Sequence, residues 1–170
     1  MMTIGVTLEL PSPWREELRD VRLSTGDPLG ATIPPHITVL GPTQVPHEQV
    51  EQVGEHLLAA ARATRPFEVE LRGTGTFRPV SPVVFVQVRR GISSCEQLER
   101  RVRSGLLHRD TAFGYHPHVT IAHGVDEDQL DRVYDELADF HARFTVERMD
   151  LAVLGSDEAW RPVRAYPFEG

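Results

Sequence analysis

The sequence predicts an α+β fold in which two β-α-β-α-β halves are related by a pseudo-two-fold. Two observations predict it. A pattern of Pro, His, β-branched, Thr, β-branched occurs twice, as Pro35-His36-Ile37-Thr38-Val39 and Pro117-His118-Val119-Thr120-Ile121. The same order of apolar periodicities surrounds each copy. The motif histidine lies 34 residues from a strand start in the first half (Met2 to His36) and 35 in the second (Val83 to His118). At 170 residues the chain is expected to form one domain over residues 1–170, its lobes contributed by approximately residues 1–75 and 76–170. A chain of this size can bury about 70 % of its unfolded surface without a metal or disulfide staple.

The elements follow in order. Ile4, Val6, Leu8 and Leu10 alternate with polar or small residues, the period of a half-buried strand. Ser12-Pro13 predicts an N-cap with proline at the first helical position, and Trp14, Leu18 and Val21 continue at helical spacing. A Gly- and Pro-rich loop, residues 24–33, leads to a short strand at His36–Leu40, which Gly41-Pro42 ends. Val50, Val53, Leu57, Leu58 and Ala61 mark a second helix entered at Pro46. Phe67, Val69 and Leu71 alternate as a strand, and GTGTFRPVSP reads as turn-rich.

The order then restarts. Val83–Val88 is a buried strand, and Cys95, Leu98, Val102 and Leu106 form a helical stripe. His118–Ala122 is a strand. Asp126 with Gln129 predicts a capping box ahead of Leu130, Val133, Tyr134 and Leu137. Phe144, Val146, Leu151 and Val153 predict one long or bent strand, and a last strand spans Val163–Phe168.

Composition excludes several classes. The formal charge of −7 argues against long duplex nucleic acid, including duplex DNA, whose binding rests on neutralising many phosphates. A terminal phosphate needs only a few local cations. No apolar run is long enough to span a bilayer, and the N-terminus shows no signal peptide. Cys95 is the single cysteine, which suits a reducing cytoplasm and reads as helix packing.

Along a strand, residues i and i+2 share a face. His36 and Thr38 therefore point one way and Ile37 and Val39 the other; His118 and Thr120 oppose Val119 and Ile121 in the same manner. Two facing His-Thr pairs suit metal-free phosphodiester chemistry. An imidazole near neutral pH can take the proton of the attacking oxygen or give one to the leaving oxygen. Threonine hydroxyls can donate to the non-bridging oxygens. An isolated His-x-Thr is more simply a satisfied polar pair in a sheet, but two copies at equivalent places have no packing reason to recur.

These motifs, PHITVLGP and PHVTIAHG, resemble those of the 2H phosphoesterase superfamily, in its bacterial 2'-5' RNA ligase-like or RNA 2',3'-cyclic phosphodiesterase branch. The resemblance covers nearly the whole chain, including GTGTF and the apolar strand after it. It implies a two-lobed fold with antiparallel sheets around a central cleft. It implies that His36 is the proton donor to the leaving ribose oxygen, that His118 is the proton acceptor, and that Thr38 and Thr120 hold the phosphate. The implied substrate is an RNA terminus or small cyclic nucleotide, opened from a 2',3'-cyclic phosphate to a 2'-phosphomonoester, with 2'-5' ligation as the reverse type of reaction. No cofactor, metal or membrane is implied, and a cytoplasmic monomer is expected. Family members often place Arg after the Ala that follows the second tetrad. Here His123 follows Ala122 and is kept as a candidate phosphate contact, although ideal alternation puts it on the other face.

Other readings remain. His116, His118 and His123 suggest a metal site that would leave His36 unexplained. A binding module without useful catalysis, or a cyclic phosphate on a non-RNA small nucleotide, fits the same motifs. Phe77, Tyr115 and Trp160 are stacking candidates that read more simply as core or rim. His47 and His56 are expected to face solvent on the second helix, and His108 and His141 have no evident partner.

Overall fold

The computed structural model describes residues 1–170. The strands are β1 (Met2–Glu9), β2 (His36–Val45), β3 (Phe67–Thr76), β4 (Val83–Arg90), β5 (His118–His123), β6 (His141–Val146), β7 (Arg148–Leu154) and β8 (Trp160–Pro167). The helices are α1 (Trp14–Ser24), α2 (Val50–Arg62), α3 (Ile92–Val102) and α4 (Glu127–Glu136). The strands form two four-stranded sheets, ordered β2-β1-β7-β8 and β5-β4-β3-β6. Every neighbouring pair is antiparallel, so the expected α+β class with antiparallel sheets is what the chain forms. No helix is long and apolar enough to cross a membrane.

The sheets do not divide at residue 75. Strand β3, from the first half, lies between β4 and β6, while β7 lies beside β1. The first half thus gives β3 to the sheet that holds the second motif, and the second half gives β7 and β8 to the sheet that holds the first. The single long strand expected around residues 144–153 is two strands in different sheets, parted at Glu147. Both pieces keep one buried face: Ala142, Phe144 and Val146 in β6, and Met149 and Leu151 in β7. The buried positions change from even to odd numbers across the crossing, so the phase slips by one residue where the chain changes sheets.

Strand parity sorts the motif residues as expected. Ile37, Val39, Val119 and Ile121 are at most 2 % exposed, whereas His36, Thr38, His118 and Thr120 are half-buried. Burying each aliphatic side chain contributes about 1.5–3 kcal/mol. The motif strands share a further irregularity. Along β1, Val6 faces Leu40 and Thr7 faces Thr38, which leaves Val39 without an opposite residue. Along β4, Val84 faces Ala122 and Phe85 faces Thr120, which leaves Ile121 out. A bulge of this kind reverses the side-chain parity beyond it. His123 lies opposite Val83, on the face of Thr120, and not on the far face that ideal alternation assigns.

Some local expectations are not met. Ser12 does not cap α1: Pro13 holds the cap position, and the Ser12 hydroxyl donates to Glu16 at 2.6 Å. The Asp126–Gln129 capping box makes no side-chain bond; Gln129 instead accepts from Arg132 at 2.9 and 3.1 Å. Strand β3 continues through the GTGT residues before turning. His56 is half-buried, not solvent-facing, and its Nε2 lies 2.8 Å from the carbonyl of Val102 at the end of α3. His141 has a partner, Glu70, at 3.2 Å. Arg143 and His141 together hold the Glu70 carboxyl down at about 2.

The loop that delivers His36 is anchored by a buried ion pair. Arg22 Nε donates to Asp27 Oδ2 at 2.8 Å, and the two side chains are 7 % and 2 % exposed. Asp27 Oδ1 accepts from the Leu29 backbone at 3.0 Å, opening a short 3₁₀ turn at Pro28–Ala31. Removing one partner strands the other charge out of water, so Arg22→Met is expected to destabilise the fold by about 3 kcal/mol. Urea denaturation of the wild type and the variant measures this.

Candidate active site

Both motif strands are outer strands of their sheets, and the cleft lies where they approach. Tyr115 bridges them: its hydroxyl donates to the Thr38 carbonyl at 2.8 Å. Burial, with nearby acidic groups, pushes this phenol up from its ordinary value, so it remains a donor.

The two imidazoles are held identically. His36 Nδ1 lies 2.8 Å from the carbonyl of Pro34, and His118 Nδ1 lies 2.7 Å from the carbonyl of His116. A carbonyl only accepts, so in each ring Nδ1–H donates. Nε2 is left as the atom that exchanges a proton. Burial pulls both imidazoles below the ordinary histidine value, and the carbonyl bond partly opposes it. The charges of Arg22 and His118 lower His36 further.

The surroundings of the two rings differ. His118 is bordered by Phe77 and Phe85, with ring centroids at 5.0 and 5.2 Å. His36 lies across the strand pair from Glu9. It lines a cavity of about 190 Å³ together with Glu9, Asp150 and Trp160. A larger cavity, about 570 Å³, contains His118, Phe77, Tyr115 and Arg103. Thr38 and Gly41 line both, so the two spaces adjoin at the first motif.

The predicted residues are therefore placed as follows. His36, Thr38 and His118 line the cleft. Thr120 is half-buried on the same face as His118 but lines neither cavity. His123 is exposed at the strand end and also lines neither. Phe77, Tyr115 and Trp160, read more simply as core or rim, all reach the cavities. No three His, Cys, Asp or Glu side chains gather as a metal would require; His116 packs edge-on against Phe77 at 5.5 Å.

Sequence reasoning missed Glu9 and Asp150. Glu9 continues the polar face of β1 and would follow from knowing that β1 pairs with the first motif. Asp150 carries no sequence signal, because its position depends on β7 entering the first sheet.

Two outer strands that bring His36, Thr38 and His118 to adjoining cavities define a two-lobed phosphoesterase-like architecture. The chain belongs to the 2'-5' RNA ligase superfamily, whose family model matches residues 10–158. A candidate phosphoesterase of Bacillus cytotoxicus is 28 % identical over 163 residues, covering 94 % of this chain and 92 % of its own. One of Bacillus cereus is 27 % identical over the same length and coverage. Among solved structures, Escherichia coli LigT complexed with 3'-AMP superposes with a TM-score of 0.73 at 19 % identity, covering 99 % of both chains. TT0787 of Thermus thermophilus gives 0.66 at 21 % identity, covering 100 % of this chain and 99 % of its own.

The Tyr115 hydrogen bond ties the segment leading into β5 to β2. Tyr115→Phe leaves the Thr38 carbonyl without this donor, and the expected loss is about 1 kcal/mol. Chemical denaturation reads that loss, and faster amide exchange along β2 locates it.

Proposed function

We propose that the protein is a phosphoesterase that opens 2',3'-cyclic phosphates, at RNA ends or on small nucleotides, to 2'-phosphomonoesters. The observation that carries this reading is the matched anchoring of the two imidazoles, each with Nδ1 tied to the carbonyl two residues before it. Such anchoring leaves two Nε2 atoms as the proton-exchanging groups of one cleft.

In this reading a water oxygen bonds to phosphorus while the P–O3' bond breaks. His118 takes the water proton and His36 gives a proton to the departing O3'. Thr38 and Thr120 donate to the non-bridging oxygens, and His123, on the same face beyond the bulge, is a further candidate contact to the phosphate. The phenylalanines around His118 favour a neutral ring, suited to a base. His36 shares its cavity with Glu9 and Asp150; burial lowers both imidazoles, so the acid role of His36 is taken from the family resemblance. Escherichia coli LigT has been solved with 3'-AMP and with ATP, which supports a nucleotide-sized ligand here. Attack by a ribose hydroxyl in place of water would give the 2'-5' linkage by the same proton transfers.

Nucleoside 2',3'-cyclic phosphates and an oligonucleotide ending in one test the proposal, with product position read by phosphorus NMR. The 2'-phosphate is expected, with turnover unchanged in EDTA. His36→Ala or His118→Ala is expected to reduce kcat at least ~100-fold. Unchanged turnover in both variants sinks the mechanism.

The pH profile adds a second check. The base must be neutral and the acid protonated, so kcat/KM is bell-shaped. Both imidazoles are shifted downward, so both limbs fall on the acid side of free imidazole. The maximum is expected below pH ~6.5.

A further inference from the structure

We infer that the cavity beside His36 is a nucleobase subsite, in which Asp150 selects bases that present an amino N–H. This deepens the cyclic-phosphate reading and rests on it.

The floor of the cavity is the sheet itself. Thr38 on β2 faces Thr7 on β1, and Thr7 faces Asp150 on β7. Asp150 is therefore two strand spacings from the motif strand, about 10 Å. A phosphate held at Thr38 would place its ribose over Thr7 and its base edge near Asp150. In the proposed reaction O3' leaves phosphorus toward His36 while O2' keeps the ribose attached, so the ribose lies on the side this cavity occupies.

The far wall is Trp160. A Cβ at Gly5 would lie 3.3 Å from Trp160 Cζ3 and 3.5 Å from Cη2, so the indole rests over the bare backbone of β1. Ile33, Pro34, Leu40 and Pro162 add apolar lining. An aromatic ring facing an otherwise aliphatic slot suits a flat heterocycle.

Polar selection comes from one atom. Asp150 is 6 % exposed, and its Oδ2 has no hydrogen-bond partner. The other oxygen faces Arg148 Nε at 3.6 Å. A buried carboxylate oxygen without a donor is costly, and a ligand that donates to it recovers that cost. Glu9, the second carboxyl of the cavity, is held up from the ordinary value mainly by burial and also by Asp150. Two carboxyl groups reject a second phosphate and the carbonyl edge of a base. Guanine, adenine and cytosine offer an amino N–H; uracil offers a ring N–H between two carbonyls.

The test is kcat/KM for the four nucleoside 2',3'-cyclic phosphates with the wild type, Asp150→Asn and Trp160→Ala, with thermal melts confirming that each variant folds. The wild type is expected to prefer the three amino-bearing bases over uridine by ~10-fold or more, the scale for an unmatched buried polar group. Asp150→Asn, which can donate as well as accept, collapses that preference. Trp160→Ala raises KM for all four with little change in kcat.

Equal use of the four bases by the wild type, or a uniform loss in Asp150→Asn with the preference intact, overturns the subsite. If no cyclic phosphate is hydrolysed, the catalytic reading has failed, and calorimetry with guanosine and uridine 2'-monophosphates decides the subsite separately. A guanosine preference that Asp150→Asn abolishes upholds it, and equal affinities or none overturn it.

Discussion

Each motif strand has a sheet neighbour on only one side, and the other edge is turned toward the cleft. An outer strand with free backbone groups is normally a liability. Here that edge is where the chemistry is placed. Tyr115 spans the gap and occupies the Thr38 carbonyl, so the two edges stay close without pairing. Were β2 and β5 to zip together, the cavities lined by Thr38 and Gly41 between them would close. The site depends on holding the strands at this intermediate separation.

The scaffold supplies that separation through elements far from the histidines. The strands exchanged between halves, β3 and β7, tie each lobe to the chain of the other. The buried Arg22–Asp27 pair fixes the loop that delivers Pro34 and His36, and Pro34 in turn supplies the carbonyl that orients the ring. His56 secures the end of α3 from α2. On the other side, Phe77 and Phe85 brace His118 against tilting. Rotamers locked in this way preorganise the two imidazoles, as the proposed acid and base would require.

Much of this was legible in the sequence, for reasons that can be named. Strand parity needs only local geometry, so the division of Ile37 and Val39 from His36 and Thr38 could be read directly. The helices followed from their apolar stripes. What failed was whatever depends on which strands become neighbours. Apolar residues recur on both sides of Glu147, so β6 and β7 read as one strand, but the buried positions shift from even to odd there, where the chain changes sheets. Asp150 carries no mark in the sequence because its place beside Thr7 comes from β7 joining the first sheet. His123 was assigned to the wrong face because a bulge leaves no mark in a pattern of alternating residues. Capping was misjudged because side chains had other partners: the Ser12 hydroxyl bonds the Glu16 carboxylate, and Gln129 accepts from Arg132 and not from the cap.

The strand exchange has a consequence for the independence of the halves. Cut near residue 75, the first piece would carry β3 without the neighbours β4 and β6, and would lack β7 beside β1. Neither piece could complete a sheet alone, yet each holds the strand the other lacks. The topology is that of a strand-swapped dimer written on one covalent chain. Such an arrangement makes the cleft a measure of assembly: His36 and His118 come from different sheets, so the adjoining cavities they line form only when both sheets are complete.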